Sequence, residues 1–147
     1  MSDDSMQIIC FGEMLWDNFP GGRVPGGAPM NVAVHARRFG MRSALVSRIG
    51  NDKAGHELMD FLTAQGVSDR FTQTDPILET GHVDVIQGVD EEVRYDIASP
   101  VAWDRIELTE EVVGAVKQAD MFVFGTLAAR NERSRETLFT LLSHAQV

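Results

Sequence analysis

Short apolar runs alternate with amphipathic segments along most of the chain. Three of these runs, at residues 7–11, 43–49 and 121–124, predict strands, and residues 16–19 are consistent with a further strand. Apolar residues three or four positions apart predict four helices, whose first residues or N-caps are Pro29, Asp52, Thr109 and Asn131. Gly40 and Gly66 follow the first two helices, as glycine commonly does at a helix end. This alternation predicts an α/β domain built on a parallel sheet.

Between the second and third helices the pattern changes to alternating polar and apolar residues. Residues 82–86 and 93–97 both alternate, and Gly88-Val89-Asp90-Glu91 between them predicts a turn. The pattern therefore predicts a hairpin with one polar face, inserted into an otherwise α/β chain. Three interpretations remain open for it: a flap over a site, an edge for association, or a plain surface hairpin.

The segment 20–31 reads P-G-G-R-V-P-G-G-A-P-M-N and contains Pro-Gly-Gly twice. Glycine pairs cost backbone entropy, so two of them so close together call for a reason. The first pair, Gly21-Gly22, is typical of a hairpin turn. The second pair, Gly26-Gly27, directly precedes a predicted helix, which is a different situation.

Glycines before a helix let the backbone approach a ligand closely, and the free N–H groups of the helix favour oxygen-rich or anionic ligands. Asn31, in the first turn, offers both donors and an acceptor. Asp17, near the end of a predicted strand, could accept hydrogen bonds from further hydroxyls. This combination suits a polyol. The other interpretation is a tight strand–helix turn with Asn31 as an ordinary surface residue.

Composition and charge narrow the function classes. The 147 residues carry 13 basic and 22 acidic side chains, a net charge of -9, which disfavours a general nucleic-acid or anionic-membrane binder. Cys10 is the single cysteine and is interpreted as a small buried hydrophobe. No signal-peptide pattern and no apolar run of about 20 residues is present, so we expect a cytoplasmic protein without nucleic-acid or membrane partners. Neither G-x-G-x-x-G nor G-x-x-x-x-G-K-[ST] occurs.

The diglycine segment carries a resemblance to a known family. G-G-A-P-M-N-V-A-V-H-A-R-R-F-G at 26–40, followed after nine intervening residues by Gly50, resembles the N-terminal signature of the ribokinase-like (PfkB) carbohydrate kinases. Four further features match in order: F-G-E at 11–13, Asp17, I-G-N-D-K-A-G at 49–55 and Q-G-V at 65–67. The chain looks most like the bacterial fructokinases, because ribokinases usually carry Lys-Gly where it has Ala28-Pro29.

The resemblance implies a ribokinase-like α/β fold: a mainly parallel central sheet flanked by helices, with an inserted small β-sheet lid. Residues 1–147 would form the N-terminal portion of a sugar kinase domain, with the lid around 17–25 and 79–98. The resemblance also implies an ATP-dependent kinase with ATP and Mg²⁺ as cofactors, and a homodimer that pairs through the lid. Fructose is the expected sugar; ribose, 2-keto-3-deoxygluconate and nucleosides stay open.

Carried over position by position, the resemblance assigns Asp17 and Asn31 to sugar hydroxyls. Gly26 and Gly27 would lie against the sugar and act as a hinge when the lid closes. Glu13 also matches, and we interpret it as structural.

Three further matches are weaker. Thr126 lies near a position where some relatives contact the sugar, but a plain turn would explain it equally. Arg94 and Tyr95, on a lid strand, would either cover the sugar or pack in the lid core or a dimer contact.

The family's catalytic motif is missing from this sequence. In the family a G-x-G-D motif in the C-terminal half provides the base beside an anion hole, and no Gly-x-Gly-Asp occurs here; the nearest match, Gly88-Val89-Asp90, is a predicted hairpin tip. We therefore assign no catalytic residue and no metal ligand, and expect the C-terminal half and most of the ATP site to be absent. The chain would supply the sugar-binding half and be inactive alone. Two alternatives stay open: a non-catalytic sugar-binding or regulatory module of the same fold, and a structural association partner.

Overall fold

A computed structural model describes residues 5–88 and 92–146. Its strands are β1 (Gln7–Phe11), β2 (Leu15–Phe19), β3 (Gly22–Gly26), β4 (Arg42–Gly50), β5 (Thr72–Asp75), β6 (His82–Gln87), β7 (Val93–Ile97) and β8 (Met121–Phe124). Its α-helices are α1 (Ala28–Arg38), α2 (Lys53–Ala64), α3 (Glu110–Gln118) and α4 (Glu132–His144). Two short 3-10 helices, Ala102–Arg105 and Leu127–Arg130, connect elements in the second half. The predicted turn at 89–91 lies outside the described residues.

The central sheet has the strand order β5-β4-β1-β8, and every pair in it is parallel. Strand β1 is apolar at successive positions because the sheet is covered on both faces. Ile8 and Cys10 pack with α1 and α2 on one face, whereas Ile9 and Phe11 pack with α3 and α4 on the other. Burial raises the pKa of the Cys10 thiol to about 12, in keeping with its role as a buried hydrophobe. The predicted α/β parallel sheet is confirmed.

A second sheet has the order β3-β2-β6-β7. Strand β2 pairs antiparallel with β3 and parallel with β6. Strand β6 pairs antiparallel with β7, as the alternating pattern predicted. Directly opposed residues in neighbouring strands share a face. The register therefore places Asp17, Val24 and Val83 on one face, with Val85 and Tyr95 in the next row. We call this the Asp17 face.

The opposite face of the second sheet packs partly on α2. The Trp16 indole Nε1 donates a 2.9 Å hydrogen bond to the Ala54 carbonyl, and Arg23 lies over the Trp16 ring at 4.2 Å while pairing with Glu57 of α2. These contacts attach β2 and β3 to the helix layer and leave the Asp17 face directed away from it.

Two predicted helix caps, Asp52 and Thr109, are confirmed, and Asn131, the predicted start of the last helix, is a third. The side chains of Asp52, Thr109 and Asn131 accept hydrogen bonds from backbone N–H groups in the first turns of α2, α3 and α4. Helix α1 differs, because its N-cap is Gly27, which has no side chain to provide such a bond. In the described part of the chain, no helix has the length and apolar character needed to cross a membrane.

Candidate functional site

Asp17 and Gly26 are brought together by the β2–β3 hairpin. Strand β2 places Leu15 opposite Gly26, and the Asp17 side chain lies against the Gly26 backbone. A Cβ atom at Gly26 would overlap the carboxylate atom Oδ2 of Asp17. Only a glycine leaves this space, so the carboxylate lies directly on the diglycine backbone.

Gly27 is constrained by its backbone. Its φ of 113° is one that side chains rarely adopt, and a Cβ there would overlap the Glu13 carbonyl oxygen. The Gly27 carbonyl in turn accepts a 2.9 Å hydrogen bond from the Asn31 N–H, which begins α1. The diglycine therefore links the Asp17 strand to the helix that carries Asn31.

The two polar side chains at this link are unpartnered among the described residues. Asp17 is half-buried, has no basic side chain in contact, and its pKa is raised by burial. Asn31 is exposed, and its carboxamide makes no hydrogen bond within the described part of the chain. It lies at the rim of a shallow apolar groove of about 330 Å³ whose other lining residues include His35 and Met121. Asp17 is not among the residues that line this groove, so the two unpartnered groups do not share it.

The weaker candidates fall in different places. Thr126 is exposed and follows Gly125, whose backbone packs against Pro29 of α1, so it lies beside the diglycine link. Tyr95 shares the Asp17 face and is 66% exposed. Arg94 opposes Ile86 and therefore lies on the opposite face of the second sheet. Tyr95, and not Arg94, therefore shares a face of the second sheet with Asp17.

Glu13, interpreted from the sequence as structural, is a buried residue that contacts the start of α1. The residue follows β1 and is only 3% exposed, and its Oε1 accepts a 3.2 Å hydrogen bond from the Ala28 N–H at the start of α1. It therefore supplies the cap that Gly27 lacks, from 15 positions earlier in the chain. The signal available in the sequence was a charged residue directly after a fully apolar strand.

Among the described residues, the diglycine link and the start of α1 do not suit the phosphates of ATP or a metal ion. A phosphate could occupy the N-terminus of α1, but the Glu13 carboxyl already lies there and would repel it. Among the described residues no cluster of three or more His, Cys, Asp or Glu side chains could hold a metal ion. We therefore assign no role in this site to a nucleotide or a metal ion.

Comparison with known proteins gives a consistent result. The family model of the pfkB family carbohydrate kinases matches residues 8–147. The chain is 34% identical over 118 residues to a putative sugar kinase of Pyrococcus horikoshii, covering 80% of this chain and 38% of that protein. It is 31% identical over 124 residues to a fructokinase of Vibrio alginolyticus, covering 84% and 40%.

Solved structures agree. A crystal structure of an uncharacterized sugar kinase from Pyrococcus horikoshii matches with a TM-score of 0.81 at 28% identity, over 92% of this chain and 50% of that one. A structure of apo fructokinase from Vibrio cholerae matches with the same TM-score at 26% identity, over 95% and 49%. The chain belongs to the pfkB family of carbohydrate kinases and has their ribokinase-like fold, as its sequence predicted. It spans about half the length of these relatives.

Proposed function

We propose that this chain supplies the sugar-binding half and the lid of an ATP-dependent, fructokinase-like sugar kinase. The observation that carries the proposal is the Asp17 carboxylate lying on the Gly26 backbone, next to the start of the helix that bears Asn31. Relatives named as fructokinases support the sugar class. Fructose is accordingly the proposed substrate.

The chemistry of the site suits a polyol. The Asp17 carboxylate would accept hydrogen bonds from sugar hydroxyls, and the Asn31 carboxamide would bridge two neighbouring hydroxyls. The sugar would lie against Gly26 and Gly27, where the absence of side chains permits close approach. Thr126 would approach from the loop after β8.

The second sheet, over residues 17–25 and 79–98, is proposed as the lid. Its Asp17 face carries exposed apolar side chains, among them Phe19, Val24, Val93 and Tyr95. We propose that Tyr95 covers the bound sugar and that the apolar face pairs with that of a second copy, giving a homodimer. Arg94, on the opposite face, is left for contacts other than the sugar.

We propose that the parts needed for phosphoryl transfer lie outside this chain. A base must take the proton of the sugar hydroxyl, and cations must neutralise the charge that develops on the transferred group. One related sugar kinase structure contains ATP, which supports ATP as the phosphoryl donor. We therefore propose ATP and Mg²⁺ as cofactors of the complete enzyme, held mainly by residues outside this chain, and no turnover by this chain alone.

Equilibrium binding of D-fructose to the purified chain, measured by titration calorimetry, tests the sugar site. Asn31→Ala should weaken binding, because a typical hydrogen bond contributes about 0.5–1.5 kcal/mol net. Gln118→Ala is a matched control, since it truncates another exposed side-chain amide at the far end of α3. Equal affinity of both variants would refute the role of Asn31.

The same titration separates the alternative functions. If the chain binds the sugar but gives no turnover after the C-terminal half is added, the result would support a non-catalytic sugar-binding module. No binding of fructose or related sugars would refute both sugar-binding readings and favour a structural association partner.

A further inference from the structure

Glu13 occupies an unusual place for a carboxyl group. It is buried directly after β1, where Gly12 turns the chain with a φ of 142°. One oxygen, Oε1, caps α1 through the Ala28 N–H, whereas the other, Oε2, has no hydrogen-bond partner among the described residues. A buried polar atom without a partner costs about 1–3 kcal/mol, and more when it is charged.

The unpaired oxygen lies next to the loop after β8. A Cβ built at Gly125 would be only 3.2 Å from Glu13 Oε2. Burial raises the pKa of Glu13, while the N–H groups of Ala28 and Ala128 and the positive charge of Arg130 act in the opposite direction. The carboxyl therefore lies between two backbone segments, the start of α1 and the Gly125–Ala128 loop.

Two glycines let neighbouring backbone segments approach Glu13 closely, one at its main chain and one at its side chain. Gly27 approaches the Glu13 carbonyl, and Gly125 approaches both Oε2 and the ring of Pro29. Each of these glycines would clash if it carried a Cβ. The two segments that meet at Glu13 are the ones that carry Asn31 and Thr126, the candidate sugar contacts on either side of the β1 carboxyl end.

We infer that Glu13 is a positioning residue, which joins the N-terminus of α1 to the loop after β8 and so fixes Asn31 and Thr126 relative to each other. It acts through the Ala28 N–H and through the contact of Oε2 with the Gly125 backbone, and does not touch the sugar. The carboxyl group costs stability at this buried position. The geometry that it imposes on both loops explains why it is present. The effect on sugar binding rests on the proposed function, whereas the effect on the loops does not.

Two substitutions separate positioning from simple packing. Glu13→Gln keeps an oxygen acceptor for the Ala28 N–H at the same length and removes the charge, whereas Glu13→Ala removes the acceptor altogether. Glu136→Ala, at an exposed glutamate of α4, is the control for loss of a carboxyl group.

Amide hydrogen exchange provides the readout that does not depend on sugar. We expect faster exchange at residues 28–31 and 125–128 in Glu13→Ala, near wild-type exchange in Glu13→Gln, and no change in Glu136→Ala. Because Gln carries no buried charge, Glu13→Gln should be at least as stable as the wild type near neutral pH. Unchanged exchange in a folded Glu13→Ala protein would overturn the inference, as would exchange that increases evenly throughout the chain.

Fructose titration of the same proteins provides the second readout. We expect Glu13→Ala to weaken binding by about tenfold, equivalent to about 1.4 kcal/mol, with most of the loss recovered in Glu13→Gln. A folded Glu13→Ala protein with wild-type affinity would overturn the link to the sugar site. If the wild-type chain itself does not bind fructose, the proposed function fails, and the exchange experiment alone decides the role of Glu13.

Discussion

Gly26 and Gly27 are adjacent, but each is required for a different physical reason. Gly26 has an ordinary backbone conformation, and its missing Cβ makes room for the Asp17 carboxylate. Gly27 has a φ of 113° and lies against the backbone of Glu13. A substitution at Gly26 therefore displaces a side chain, whereas one at Gly27 also strains the main chain.

Gly26→Ala should reduce fructose affinity while leaving the fold intact. The new methyl group occupies the place of Asp17 Oδ2, so the carboxylate must rotate away from the diglycine. Gly114→Ala is the matched control, because a Cβ there meets no atom and the residue lies within α3. That control should stabilise the chain by about 0.5–1 kcal/mol and leave affinity unchanged. Calorimetry with fructose checks both, and wild-type affinity in Gly26→Ala would show that Asp17 is not a sugar ligand.

Asp52 shows how one carboxylate can connect the two halves of the fold. It caps α2 through the Gly55 N–H at 2.8 Å, and it accepts hydrogen bonds from both the N–H and the hydroxyl of Thr80, just before β6. Burial raises its pKa, but these hydrogen bonds outweigh burial and hold the pKa below the usual value. The carboxylate therefore stabilises the folded chain in its charged form.

Asp52→Asn should lower the free energy of unfolding near neutral pH by about 0.5–2 kcal/mol, since the amide offers one acceptor oxygen in place of two. Because the folded-state pKa is depressed, the contribution is fully present above the unfolded pKa of about 3.9 and is lost as the pH falls through the folded-state value. The difference between the two proteins should therefore shrink on acidification. Urea denaturation at a series of pH values measures it, and a difference independent of pH would contradict the assignment.

At the scale of elements, the hydrophobic pattern predicted the strands and helices whose own residues show a regular pattern of burial. Strands β1, β4 and β8 and all four α-helices follow from apolar runs and caps, and they form as predicted. Strand β5 was missed because T-Q-T-D is polar and forms an outer strand, paired in the described structure only with β4. Strand β3 was missed because Gly22, Pro25 and Gly26 are typical turn residues, and its pairing with β2 depends on tertiary context.

The candidate site shows the same division. The structure places Asp17 against Gly26. The sugar-binding roles of Asp17, Gly26, Gly27 and Asn31 follow from the family resemblance and stay a prediction. The role of Glu13 was not predictable, because its burial depends on how the loop after β8 packs against α1. Likewise, only the β6–β7 register separates Tyr95 from Arg94.

The register of the second sheet also yields a paired test of the proposed dimer. Val24 and Ile86 are both apolar and equally exposed, at 53% and 52%, but Val24 lies on the Asp17 face and Ile86 on the opposite one. Val24→Lys should lower the mass of the dimer toward that of the monomer in sedimentation equilibrium, because a charge at an apolar contact must be desolvated. Ile86→Lys should leave the mass unchanged. The reverse result would place the contact on the opposite face.

At the scale of the whole molecule, the net charge opposes association of chains, whereas the apolar edge strand β8 favours it. The charge of -9 favours separate chains, but its repulsion is screened beyond about 8 Å at physiological salt. Strand β8 pairs in the described structure only with β1, and its residues are M-F-V-F. Met121 and Phe124 on it are each 42% exposed. Short-range apolar contact at such an edge should outweigh the charge repulsion between chains, because open apolar edges are sites of strand pairing.

We therefore expect the isolated chain to associate beyond the proposed dimer and to phosphorylate no sugar with ATP. Light scattering should show a mass above that of a dimer, and Met121→Lys should reduce it, because a lysine on an edge strand opposes further pairing. The same substitution leaves the Asp17 face untouched, so its effect is separable from that of Val24→Lys.

A coupled assay of ADP release with fructose, ATP and Mg²⁺ tests turnover on the same sample. A stable monomer would refute the argument from the β8 edge. Turnover well above a control without protein would show that a catalytic base lies within the chain, and Asp90, at the predicted hairpin tip, would be the first residue to substitute.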